Sequence, residues 1–124
     1  MVLVDTSVWV RALLNREPYA SELQGMLEQQ QVAAHALVYG ELLMGDTGGR
    51  RKILIAYSLL QQLAGQPHPD VVEFVRTRNL AGQGIGWIDA HLLAASYAAK
   101  IPFWTADARL RQITEELGIA YHSE

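Results

Sequence analysis

Four acidic side chains stand where short apolar runs give way to polar or helical segments. They are Asp5 in Met1-Val-Leu-Val-Asp-Thr-Ser-Val8, Glu41 in Leu37-Val-Tyr-Gly-Glu-Leu42, Asp89 in Trp87-Ile-Asp-Ala-His-Leu-Leu93 and Asp107 in Phe103-Trp-Thr-Ala-Asp107. A carboxylate among apolar neighbours is costly unless it faces a cation or hydrogen-bond donors. Four in so short a chain point to one shared site, and carboxylate oxygens suit a hard divalent cation, Mg²⁺ or Mn²⁺. The chemistry served by such a cluster is metal-dependent phosphodiester hydrolysis, in which the ion activates a water and neutralises charge on the phosphate. Without an ion the cluster repels itself: two carboxylates ~4 Å apart at an effective dielectric near 20 oppose each other by roughly 4 kcal/mol. Metal removal is therefore expected to destabilise the fold or to raise at least one carboxylate pKa. A bland role stands beside each assignment. Asp89 and Asp107 fall at expected helix starts, where an aspartate caps free N–H groups; Asp5 is open to the same reading, and Glu41 to that of a solvated helix residue.

The elements that must bring these acids together alternate between strand and helix. Residues 2–4 are apolar, β-branched and end at a polar cluster, which predicts a short buried strand. Thr6 or Ser7 is placed to cap the next helix, which carries Val8, Trp9, Ala12 and Leu13 on one face. Pro18 breaks that pattern and starts a helix over 19–30. A strand over 31–34 and a helix over 36–44 follow, then a turn at 46–49. The apolar period Ile53, Tyr57, Leu60, Leu63 predicts one helix over 50–63, and no apolar strand is visible between 63 and 70. Pro67-His-Pro69 ends that helix, and a further helix is expected over 70–80. Gly82, Gly84 and Gly86 make a loop ahead of an alanine-rich helix over 88–99. A buried strand over 102–105, a helix over 107–117 closed by Gly118 and a last strand over 119–121 complete the chain. This alternation implies an α/β fold with a parallel sheet of four to five short strands, covered by helices on both faces. In such sheets ligands bind at the carboxyl ends of strands near a switch point. Asp5 and Asp107 lie on that edge; Glu41 and Asp89 lie on helices that the fold must bring to it.

The bulk numbers agree. A chain of 124 residues, half apolar and 19% charged, is sized for one domain (1–124) with one core. The absence of cysteine excludes a disulfide scaffold, a zinc–thiolate site and a cysteine nucleophile, and fits a reducing, cytoplasmic setting. No run of 18 apolar residues predicts a membrane span, and the opening Met1-Val-Leu-Val-Asp5 lacks the basic start of a secretory signal. The net charge of −3 argues mildly against nucleic-acid binding. With the four acids set aside, however, ten basic residues face nine acidic ones, and an ion-filled site would present a neutral or slightly basic face to phosphates.

Taken together, Val4-Asp-Thr-Ser-Val-Trp9, Gly40-Glu-Leu42, Ile88-Asp-Ala-His-Leu-Leu-Ala94 and Thr105-Ala-Asp107 resemble the PIN-domain ribonucleases, specifically the VapC-type toxins of bacterial and archaeal toxin–antitoxin pairs. No single motif is highly specific, but their order and spacing extend the match over nearly the whole chain. The resemblance implies an RNA-cutting site in which Asp5, Asp89 and Asp107 bind Mg²⁺ or Mn²⁺ directly, while Glu41 holds a water or a second ion. Thr6, Ser7 and Thr105 would support the acids by hydrogen bonds. It also implies an RNA substrate, a cognate VapB-type antitoxin whose helix docks in an apolar groove, a homodimer, and a heterotetramer or larger assembly with the antitoxin.

Other features carry less. Arg50-Arg-Lys52 is the one tight basic cluster; it suits RNA phosphates but is better explained by a solvated helix start. Arg11 and Arg16 could serve substrate or an acidic partner. His35, His68, His91 and His122 lack metal-ligand spacing. Trp9, Leu13, Leu14, Leu42, Leu43 and Met44 are read as core or, on the resemblance, as the antitoxin groove. Two competing readings remain. A phosphoacceptor receiver domain would need a central aspartate that Ile53-Leu-Ile55 lacks. A catalytically silent module binding RNA or protein would have no need of the intact acidic quartet.

Overall fold

The computed structural model of the protein describes residues 1–123. At its centre lie β1 (Val2–Val4), β2 (Val32–Ala34) and β4 (Phe103–Trp104), all buried, because helices cover both faces and leave no solvent side for alternating polar residues. With β3 (Gln61–Gln62) they form an all-parallel sheet in the order β3-β2-β1-β4. The register pairs Val2 with Val32, and Leu3 with both Ala33 and Phe103. Helices α1 (Thr6–Leu13), α2 (Tyr19–Glu28), α3 (Ala36–Met44), α4 (Arg51–Ser58), α5 (His68–Thr77), α6 (Trp87–Ala99) and α7 (Ala108–Leu117) flank the sheet. Leu3, Val4, Val8, Leu42, Leu92, Leu93 and Phe103 are among the fully buried side chains. None of the helices among the described residues is long and apolar enough to cross a membrane.

The chain leaves β1 toward β2 on one side, yet β4 adds on the other side of β1. The gap between the carboxyl ends of β1 and β4 is therefore the topological switch point, where open α/β sheets bind ligands.

Several expectations need correction. The helix expected over 50–63 stops at Ser58, and Gln61–Gln62 form an edge strand beside β2, with Leu63 N–H donating to Ala34 O at 2.7 Å. An edge strand is made by backbone pairing and needs no apolar run, so two exposed glutamines form one inside the segment expected as helix. Helix α5 starts at His68, not residue 70, because Pro67 and Pro69 fit its cap and first turn. Helix α2 ends at Glu28, since Gln30 turns to φ 55°. The strand expected over 119–121 reduces to a single bridge between Ala120 and Phe103. Neither Thr6 nor Ser7 caps α1; both hydroxyls are used elsewhere.

Candidate active site

Asp5 follows β1 directly and is buried, 5% exposed. Its backbone N–H donates to Trp104 O of β4 at 2.8 Å, tying the two strand ends together. Its side chain caps nothing. Instead Oδ2 accepts from Ser7 Oγ at 2.7 Å and from Thr105 Oγ1 at 2.8 Å. Those hydroxyls in turn accept from the backbone, Ser7 from Ala106 N–H at 3.0 Å and Thr105 from Asp107 N–H at 3.1 Å. The Asp-Thr-Ser and Thr-Ala-Asp segments, a hundred residues apart in sequence, thus form one hydrogen-bonded unit across the switch point. That unit leaves Asp5 Oδ1 without a hydrogen bond among the described residues.

Asp107 and Asp89 both cap helices. Asp107 Oδ1 accepts from Leu110 N–H at 2.9 Å at the start of α7. Asp89 Oδ2 accepts from Gly86 N–H at 3.0 Å at the start of α6. Capping uses one oxygen of each carboxylate and leaves the other, so cap and ligand are not exclusive. Glu41, on the second turn of α3, accepts from Thr6 Oγ1 at 2.7 Å through Oε1.

Electrostatics join the four. Burial raises the Glu41 pKa, the Thr6 hydrogen bond opposes this, and the charges of Asp5 and Asp89 add to the rise. Burial likewise raises the Asp89 pKa, opposed by the Gly86 N–H and reinforced by Asp5 and Asp107. Asp5, Glu41 and Asp89 are therefore mutual neighbours, and Asp107 joins through Asp89. Among the described residues none of the four forms an ion pair with Lys or Arg.

As a donor set, unpaired carboxylate oxygens backed by hydroxyls fit a hard divalent cation. Among the described residues no three His, Asp or Glu side chains stand close enough together to enclose an ion as they are.

Two neighbours escaped the sequence reading. His35 follows β2 as Asp5 follows β1, is 2% exposed, and accepts from Leu37 N–H through Nδ1 at 3.0 Å, capping α3. Its strand-to-helix position was the available signal. Its Nε2 is buried without a partner, and burial, with the charge of His91 second, lowers its pKa. Trp87 opens α6 with its ring exposed, between His68 and His91. The basic cluster stays apart: Arg50 spends its guanidinium on Leu42 O at 2.8 Å, and Arg51 and Lys52 are exposed on α4.

A family model for the PIN domain matches residues 2–116. Over its full length the chain is 34% identical to proteins named Ribonuclease VapC32 in two strains of Mycobacterium tuberculosis, covering 98% of each. Among solved structures it resembles the crystal structure of PAE2754 from Pyrobaculum aerophilum. The TM-score there is 0.63 at 18% identity, over 97% of this chain and 87% of that one.

Proposed function

The chain belongs to the PIN domain family, among its VapC-type ribonucleases, and from that premise we propose that it is a divalent-metal-dependent endoribonuclease acting as the toxin of a toxin–antitoxin pair. One observation supports this reading: Asp5 and Asp107 lie beside the switch point of a parallel sheet, Asp89 feels the charges of both and Glu41 those of Asp5 and Asp89, and among the described residues none of the four pairs with Lys or Arg. Such a cluster is uneconomical for folding alone and suited to holding Mg²⁺ or Mn²⁺.

Asp5, Asp89 and Asp107 would hold the ion, with Glu41 orienting a water or a second ion. When bound, the ion supplies charge neutralisation at the phosphate and acidifies water. The chain's own residues set the frame. Ser7 and Thr105 fix the Asp5 carboxylate by occupying Oδ2, which leaves Oδ1 for an ion. Thr6 holds Glu41 from the first turn of α1.

A co-encoded VapB-type antitoxin would silence the enzyme. Leu13 and Leu14 at the end of α1, and Leu43 and Met44 at the end of α3, leave apolar surface exposed, Met44 at 87%. Helices α1 and α3 pack together, and on this reading their exposed apolar ends would receive the antitoxin's amphipathic helix. A homodimer, and a heterotetramer or larger complex with the antitoxin, belong to the same reading. No observation favours a phosphoacceptor domain: Ile53-Leu-Ile55 lies in helix α4, where such a domain would need a strand ending in aspartate.

The test is cleavage of total cellular RNA by purified, antitoxin-free protein with Mg²⁺, with Mn²⁺ and with EDTA, beside Asp5→Asn. Discrete metal-dependent cuts that the variant fails to make are expected. Cuts that survive EDTA or Asp5→Asn would sink the assignment.

A further inference from the structure

The aromatic row at the start of α6 takes no part in the acid cluster. Trp87 is 44% exposed, whereas Trp9 and Trp104 are core residues at 2% and 7%. Its indole is nonetheless held on two sides. His91, one turn further along α6, stands edge-on to it with ring centroids 4.9 Å apart. His68, the first residue of α5, tilts against it at 5.3 Å. A single exposed apolar residue needs no explanation; an exposed ring braced by two other rings is a rigid π surface.

Its position gives that surface a use. Trp87 and Asp89 share the first turn of α6; two residues apart, their side chains leave the helix on different faces, but Asp89 Oδ2 turns back to the N–H of Gly86, the residue next to Trp87, at 3.0 Å. The row also borders the sheet's carboxyl edge, since His91 is close enough to His35, after β2, for its charge to be felt there. Trp87 itself, with Leu80, Ile85 and Ala90, lines a hollow of 140 Å³. Arg109 of α7 lies against the same glycine loop that leads into Trp87: a Cβ at Gly84 would lie 3.9 Å from its Nε. Arg109 has no ion-pair partner among the described residues. A rigid aromatic face and a free guanidinium beside a phosphodiesterase site are the two parts that single-stranded nucleic-acid sites combine: stacking for bases, charge for the backbone.

Resting on the nuclease reading of the acids, we propose that Trp87, braced by His68 and His91, is the stacking platform for one unpaired base of the RNA, and that Arg109 contacts a neighbouring phosphate. The enzyme then selects an unpaired nucleotide next to the scissile bond, because a base locked in a duplex cannot lie on the indole.

The experiment uses an unpaired oligoribonucleotide of about eight residues and an uninterrupted RNA duplex of equal length. Both are titrated with Mg²⁺ present into protein carrying Asp5→Asn, which leaves the RNA uncut. Quenching of the exposed indole is expected with the single strand and not with the duplex. Trp87→Ala and the bulk-preserving Trp87→Leu should weaken single-strand binding by about 10-fold or more, and Trp87→Phe should restore most of it. Arg109→Ala should weaken binding and flatten its salt dependence. Affinity unchanged in folded Trp87→Ala and Trp87→Leu, or equal binding of duplex, would overturn the proposal. So would a change confined to self-association or antitoxin binding, which would make Trp87 a protein contact. Failure of the nuclease reading shows itself separately, as cleavage that persists in Asp5→Asn or in EDTA; quenching lost with Trp87 would still support the platform in that case.

Discussion

The two halves of the acid site are built differently. Asp5 and Asp107 hang from the ends of adjacent strands, where a chain of hydroxyl and amide hydrogen bonds joins β1 to β4. Glu41 and Asp89 project from helices, each with one hydrogen-bond donor, and for both of them burial and acidic neighbours disfavour the charged form. The strand-end half is thus preorganised by the fold, as a site that must act repeatedly in one geometry requires. The helix-borne half is left electrostatically unsatisfied. A proton or a bound cation would relieve that strain.

The largest expected effect breaks the strand-end half. Asp5→Asn keeps an oxygen for the Ser7 and Thr105 hydroxyls, so the fold should survive while RNA cleavage falls to background. Gel-resolved cleavage with far-ultraviolet circular dichroism alongside checks both. Full activity in this variant would end the comparison at once.

Next comes the ion. At a concentration 100 times its Kd, Mg²⁺ should raise the unfolding free energy by about 2.7 kcal/mol through mass action alone, read from thermal melts with Mg²⁺ or EDTA. The sign of the pH dependence follows from the raised pKa values of Glu41 and Asp89. Their folded forms hold protons that the unfolded chain releases at the ordinary 4.5 and 3.8. The associated stability is therefore fully present below those values and is lost as pH rises through the raised ones. Denaturant unfolding of metal-free protein should weaken across that window, Mg²⁺ should offset the loss, and Glu41→Gln or Asp89→Asn should flatten it. A metal-free protein that instead gains stability across the window would show that the helix-borne acids are not strained.

This division also explains what the sequence could disclose. Strand β1 and the acid after it were legible because a run of three buried apolar residues ending in Asp-Thr-Ser is a local pattern. Asp107 was legible for the same reason after β4. That Glu41 and Asp89 join them is set by helix packing over the sheet, which no local pattern encodes; the ordered set of motifs supplied it by resemblance. The shared network of Ser7 and Thr105 spans a hundred residues, so its hydrogen bonds had to be seen rather than read. Strand β3 was missed because its only qualification is a backbone ladder to β2, and Gln61 and Gln62 carry no apolar signal. His35 has no metal-ligand spacing to mark it in the sequence; its role as a cap follows from its place between β2 and α3.

Smaller effects sharpen the comparison through the hydroxyls. Ser7→Ala and Thr105→Val each remove a donor to a buried carboxylate and an acceptor for a backbone N–H. Each should cost cleavage 10- to 100-fold and stability about 1 kcal/mol, measured by single-turnover rates and urea unfolding. Thr105→Ser, which keeps the hydroxyl, should recover most of both. If Thr105→Val were neutral while Thr105→Ser was harmful, the methyl group and not the hydrogen bond would be what the site uses.

The smallest effect belongs to Thr6, the counterpart on the helix-borne half. Its hydroxyl donates to Glu41 Oε1 from a partly exposed position and opposes the rise in the Glu41 pKa caused by burial. Thr6→Val should therefore reduce cleavage only several-fold, less than either Ser7→Ala or Thr105→Val. It should also push the Glu41 pKa higher still, so that the metal-free stability loss extends to higher pH than in the wild type, while saturating Mg²⁺ narrows the difference. A Thr6→Val defect as deep as that of Thr105→Val, and unmoved by Mg²⁺, would mean that Glu41 is held by the fold as firmly as Asp5 and that the site is preorganised throughout.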